Sequence, residues 1–274
     1  MSDKKIGTWY YQQFDADYNL EVPAEGYGGW KKIDLPIELD KTALVVMHAW
    51  DCGTRQQYPG WYRAVEYIER ANEISDQIFP LLLKKARNNN IPVLHVADDS
   101  GYADDFKGHT MAIELCKKYY GDSNVSSPVV PESRIHSYLR DFKRDFSFPG
   151  KGNIPDIDNG QAVKGFMKNA MPVNDEFVAT DSEQLNSICL ELGINHLIYT
   201  GFAINWCLQY SPGNMNDMAS RGLLCSTIRE AVTAVENKSS AATQSHKEYA
   251  LWVTSLKNGF VYDLDDFIRC IDQG

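Results

Sequence analysis

The stretch "INHLIYTGFAINWCLQY", Ile194 to Tyr210, decides the reading of this chain. An apolar strand, Leu197 to Thr200, ends at Gly201, a short turn follows, and Cys207 stands at the start of the next helical segment. A thiol placed there feels the free N–H groups and dipole of a helix start, which favour thiolate over thiol and can hold an oxyanion. A buried structural cysteine is the plainer reading of any single thiol, but the strand-turn-helix setting points to a nucleophile.

Outward from this segment, apolar runs alternate with helical patterns. "ALVVMH" (Ala43 to His48) is continuous, as a strand covered on both faces requires. "EISDQIFPLLLKKARNNN" follows with Ile74, Ile78, Leu81, Leu82 and Ala86 at helical spacing, and Pro80 predicts a kink or a late start. "IPVLHVADD" reads as the second strand, and "AMPVN", "INHLIYTG", "LLCSTI" and "FVYDL" as later ones. Between them lie the helices "DSEQLNSICLELG", "NMNDMASRG" and "TQSHKEYALWVTSLKNG". Six strands joined by right-handed helical crossovers make an α/β three-layer sandwich around a mostly parallel, doubly wound sheet.

Two stretches break the rhythm. Residues 1–41 are rich in aromatics (Trp9, Tyr10, Tyr11, Phe14, Tyr18, Tyr27, Trp30) and read as an extended flap packing on the domain or a neighbouring subunit, with a substrate lid as the alternative. Residues 99–163, inserted after the second strand, mix the helical pieces "HTMAIELCKKYY" and "IHSYLRDFKRDF" with the loop "SFPGKGNIPDIDNG". Insertions at the carboxyl ends of strands border the crevice of a doubly wound sheet, so this one shapes a pocket or an oligomer contact.

A formal net charge of -10 without a compensating basic cluster speaks against nucleic acid and anionic membranes as partners. No apolar run suits a membrane span or an amino-terminal signal, which makes a cytoplasmic protein the expectation. The six cysteines are widely spaced and lack a C-x-x-C pair, so most of them read as free thiols.

"LELGINHLIYTGFAINWC" resembles the signature of the isochorismatase-like cysteine hydrolases, the superfamily of nicotinamidases and N-carbamoylsarcosine amidases. "ALVVMH" is similar to its first strand, "LKKARNNNIPVLHV" to its first helix and second strand, and "TIREAVTA" to the strand and turn after the nucleophile helix. The resemblance implies a hydrolase domain over 42–274, a small-molecule substrate with an amide C–N bond or related carbonyl, and a homo-oligomer; no cofactor or metal is expected. It also implies Cys207 as nucleophile and a non-proline cis peptide at Ala203–Ile204, with Ile204 among the oxyanion donors. The family pairs its cysteine with an aspartate and a lysine. A gap-free reading puts His48 and Asn174 at those positions, with Lys168 as the lysine if the alignment slips. Thiol, imidazole and amide are the inventory of a Cys-His-Asn triad. Loss of both charged partners equally describes a silent family member that serves as a binding or scaffold protein.

By the same alignment Trp50, Phe177 and Trp206 would form a flat apolar pocket, and Asp51 would orient His48, line the pocket or belong to a plain turn. Asp98 and His109 stand near a place where some family members hold a metal, but their spacing favours solvated loop carboxylates. His95 reads as a core histidine.

Overall fold

The computed structural model describes residues 4–121 and 133–272, so part of the 99–163 insertion lies outside the described residues. The chain opens with an antiparallel ribbon, β1 (Lys4–Gln12) and β2 (Gly29–Ile37), and then enters the sheet with β3 (Thr42–Met47). A two-residue strand β4 (Trp50–Asp51) precedes α1 (Pro59–Ala64), α2 (Ile68–Gln77) and α3 (Phe79–Asn88), which lead to β5 (Val93–Val96). Pro80 sits in the first turn of α3, where its missing N–H costs nothing, so the expected single helix is two helices meeting at Ile78.

The insertion carries α4 (Lys107–Tyr120), α5 (Arg134–Phe146) and α6 (Ile154–Gln161) and returns through β6 (Gly165–Phe166). Next come β7 (Val178–Ala179), α7 (Ser182–Leu192), β8 (His196–Gly201), α8 (Cys207–Tyr210) and α9 (Met215–Ser220). β9 (Leu224–Val232), α10 (Ser245–Lys257), β10 (Val261–Tyr262) and α11 (Leu264–Asp272) complete the chain.

Eight strands form one sheet in the order β2-β1-β10-β9-β8-β3-β5-β7, and β4 and β6 form a separate small ladder. The six strands from β10 to β7 are parallel, while β1 joins β10 antiparallel at Thr8↔Tyr262. The aromatic amino-terminal stretch is thus a continuation of the sheet. Trp9 Nε1 donates to Asp263 at 2.9 Å, and Lys32 bridges to Asp263 and Asp266 at 2.6 Å each.

Alternate residues of each parallel strand feed different layers, which is why "ALVVM" is apolar throughout. Leu44, Val46, Ile198 and Ile228 pack against Ala71, Phe79, Leu82, Leu83 and Phe267 from α2, α3 and α11. Ala43, Val45, Met47, Leu197 and Tyr199 pack against Ala112, Leu185, Ile188, Leu208, Met218 and Leu251 on the other face. This is a three-layer α/β sandwich.

One expected strand is elsewhere. "AMPVN" forms no strand: Lys168–Ala170 is a turn of 3-10 helix, and Asn174 has φ 55°, which no sheet residue adopts. The edge strand is β7, four residues later, registered as His95↔Val178.

Candidate active site

The order in which strands are added to the sheet reverses between β3 and β8, which run parallel and pair as Met47↔Gly201 at their carboxyl ends. In an open α/β sheet this switch point leaves a crevice. The two strand ends are clasped there by one carbonyl. Phe202 N–H donates to Met47 O at 3.1 Å, and Gly201 (φ 114°) lies so close that a Cβ would stand 1.9 Å from the same oxygen. Only glycine fits.

The turn to Cys207 contains a non-proline cis peptide at Phe202–Ala203, one residue before the expected Ala203–Ile204. Ala203 O accepts from Trp206 N and Leu208 N, and Asn205 exchanges two 2.8 Å hydrogen bonds with Val235, which fixes the turn to the segment after β9. Ile204 N–H donates to Thr233 O at 2.8 Å, so it is committed to the fold and is not available as the expected oxyanion donor.

Cys207 is partly buried. Burial pushes its thiol up, against hydrogen bonds from the Ser211 side chain and the Ala203 backbone and the positive charge of Lys164, which pull it down. The resting group is a thiol. His48 follows β3 with φ 52°, its N–H donating to Val96 O at 2.8 Å. The ring is 5% exposed, and its Nε2 has no hydrogen-bond partner. Burial pushes this imidazole down to about 4, with Asp98 opposing and Lys164 reinforcing the shift, so it is neutral at pH 7.

The charged pair acting on both residues was not legible in the gap-free alignment. Lys164 and Asp98 form an ion pair in which the lysine side chain is 6% exposed. Burial pushes the Asp98 carboxyl up, but hydrogen bonds from Lys164 and Ser100 outweigh it and hold the group below the usual carboxylate range. The β4–β6 ladder brings the lysine in: Asp51↔Gly165 and Trp50↔Phe166 pair, and Met167 N–H donates to Ala49 O at 2.9 Å. Lys164 Nζ then sits over the rings of Trp50 (5.2 Å) and Tyr102 (5.4 Å). These contacts replace part of its lost hydration. The Tyr102 hydroxyl is buried and without a hydrogen bond.

Other expected residues lie apart from this cluster. Asn174 lies at the amino end of the strands, in a groove with Arg87, Asn90 and Pro92, so a role in orienting His48 does not fit. Beside it Glu176 accepts from Arg87 at 2.6 and 2.8 Å and bonds His95 Nε2 at 3.0 Å, a structural cluster that fixes the turn. Phe177 lines the same amino-end groove and is no wall of the thiol pocket, because its carbonyl is tied to His95 N–H within the sheet. Asp51 is exposed, accepts Gly53 N–H at 2.7 Å, and faces a polar groove that also contains Lys168. Trp50 packs on Trp61 at 5.3 Å, and Trp206 lines a cavity against Cys207. His109 is buried near Thr180 and Asp104. Among the described residues no three His, Cys, Asp or Glu side chains gather as a metal-binding group, and no helix is long and apolar enough to cross a membrane.

The chain is similar to isochorismatase-like hydrolases. A cysteine hydrolase from Pseudomonas syringae pv. phaseolicola 1448A covers 87% of this chain and 96% of its own, at 13% identity and TM-score 0.48. An isochorismatase from Pseudomonas putida KT2440 covers 84% and 92% at 15% identity and TM-score 0.44. N-carbamoylsarcosine amidase from Thermoplasma acidophilum covers 82% and 97% at 16% identity and TM-score 0.40. No family model matches the sequence, and no curated protein matches it.

Proposed function

We propose that this protein is a cysteine hydrolase of small amides or related carbonyl compounds, with Cys207 as nucleophile and the Asp98–Lys164 pair as its charged partners. The observation that carries this reading is the buried ion pair whose field reaches both Cys207 and His48 at the carboxyl end of the sheet. Buried charges are costly and concentrate where chemistry uses them.

In the proposed reaction the sulfur attacks the carbonyl carbon as its proton passes to the Asp98 carboxylate. That proton then goes to the leaving nitrogen as the C–N bond breaks, and water releases the acyl group from sulfur. Lys164 stays positive throughout and offsets the negative charge that develops near the sulfur. Neutral His48 offers Nε2 as a hydrogen-bond partner to substrate or water.

A second reading is a binding protein that keeps the crevice without turnover, and the raised Cys207 thiol favours it. Rates of alkylation by iodoacetamide separate the two. Cys52, Cys189, Cys225 and Cys270 are buried, so partly buried Cys116 is the internal reference. A hydrolase is expected to modify Cys207 at least tenfold faster than Cys116 at pH 7.5, and Asp98→Asn should abolish the difference. Equal rates favour the silent protein.

A further inference from the structure

The helix α5, Arg134–Phe146, keeps none of its side chains buried. Its start is fixed by Ser133, whose hydroxyl accepts His136 N–H at 3.2 Å. Ile135, Tyr138, Leu139, Phe142 and Phe146 fall on one side of this helix, within an arc of about 100°. All five are between 52% and 75% exposed, and the Phe142 and Phe146 rings meet at 4.8 Å. So large a continuous apolar stripe marks an interaction surface. The carboxyl end of the helix is tied to the rest of the molecule: Phe148 N–H donates to Lys143 O at 3.0 Å, Gly150 N–H to Arg144 O at 3.0 Å, and the Phe148 ring rests on Trp206 at 5.7 Å. The stripe thus ends two residues before a wall of the thiol pocket.

The charges bordering the stripe point to its occupant. Arg134 and Asp145 lie on the same border, at opposite ends of the helix and about 20° apart around its axis. Neither has an ion-pair partner among the described residues. When a second α5 packs antiparallel against the first, Ile135 meets the partner's Phe146, Leu139 meets the partner's Phe142, and Arg134 meets the partner's Asp145. Twofold symmetry supplies each of these contacts twice. Parallel pairing would instead set like charges against each other at both ends. A lipid surface fits less well, because Asp145 on the border and the formal net charge of -10 both oppose anionic headgroups.

We propose that α5 is the docking surface for a second copy of this chain, paired antiparallel about a twofold axis near the middle of the helix. Five side chains of this size, half or more exposed, remove on the order of 500 Å² of surface per copy, so the contact reaches the roughly 1,000 Å² that a specific interface needs. A dimer of that size is reversible. It depends on neither turnover nor the identity of the nucleophile. By gripping the helix that leads into Phe148, the partner also steadies one wall of the pocket at Cys207.

The test is sedimentation equilibrium of the full-length protein between about 1 and about 100 µM. The mass is expected to rise from 31.0 kDa toward twice that value. Leu139→Asp and Phe142→Asp, each at an exposed site, should hold the protein at the monomer mass throughout, with an unchanged urea midpoint showing an intact fold. Arg134→Asp and Asp145→Arg should each weaken the dimer about tenfold by bringing like charges together. The double variant, which restores both ion pairs in the swapped sense, should return to within about threefold of the parent. This charge-reversal series decides alone if an aspartate variant unfolds. A parent that stays monomeric, including one that instead sediments with phosphatidylserine vesicles, overturns the proposal. So does a dimer that survives both aspartate substitutions, or a double variant no tighter than the single ones.

Discussion

Lys164 and Asp98, 66 residues apart in sequence, meet as a direct ammonium–carboxylate pair beneath the rings of Trp50 and Tyr102. The carboxylate follows β5, the sheet neighbour of β3, and the lysine precedes β6 of the small ladder, so these two elements supply the charges that His48, just after β3, does not carry.

Removing one charge strands the other in a poorly solvated place. Asp98→Asn is expected to cost about 3 kcal/mol by urea unfolding, and Lys164→Met a comparable amount. The double substitution should recover much of that loss, because no unpaired charge remains. Hydrolysis should fall about 100-fold or more in each single variant and stay low in the double one. Additive stability losses would show that the two residues are not energetically coupled.

Gly201 holds the ends of β3 and β8 together. Gly201→Ala must separate its Cβ from Met47 O and hold alanine at φ 114°. The expected cost is at least about 2 kcal/mol. Because the displaced backbone leads directly to Cys207, the alkylation rate at that thiol should change as well, measured by peptide mass spectrometry.

Two buried histidines give a stability slope with a definite sign. His48 and His196 are both held down to about 4 by burial, against about 6.5 in the unfolded chain. Between those values the unfolded chain binds more protons, so stability is complete above pH 6.5 and falls as pH drops toward 4, by at most about 3 kcal/mol per group. His196 bonds Ser226 Oγ at 2.8 Å, away from the thiol. His196→Asn should flatten the dependence of the urea midpoint between pH 7 and pH 5, and an unchanged slope would contradict the assignment.

Asn174 offers the converse test. Its φ of 55° suits asparagine or glycine, so Asn174→Gly should change stability by no more than about 0.5 kcal/mol, and Asn174→Ala should destabilise by about 1 kcal/mol. Neither should alter Cys207 alkylation or hydrolysis. A folded Asn174→Ala variant without activity would restore this residue to the site.

The parallel sheet was legible because doubly covered strands leave a dense apolar record, as in "ALVVM" and "HLIYTG". Cys207 was legible as a residue at a helix start and His48 as one at a strand end. Lys164 was not, because a gap-free alignment spends the residues around Pro172 on a strand, whereas the chain uses them in a turn and places its edge strand at Val178. The one local sign was "VKGF", a lysine before a short aromatic run that proves to be β6. Such a two-residue ladder has no periodicity to detect. Asp98 was legible only as a loop carboxylate after the second strand; its pairing with Lys164 was not, since an ion pair closed by the fold is invisible in a list of neighbours along the chain.

The ribbon of β1 and β2 precedes every other described strand in chain order, yet its docking strand, β10, follows all of them. Until β10 has been made, that pair of aromatic-rich strands has no sheet edge to dock on. Closure of the sheet at Thr8 and Tyr262 is then a late event in folding, delayed by the long stretch of chain between them.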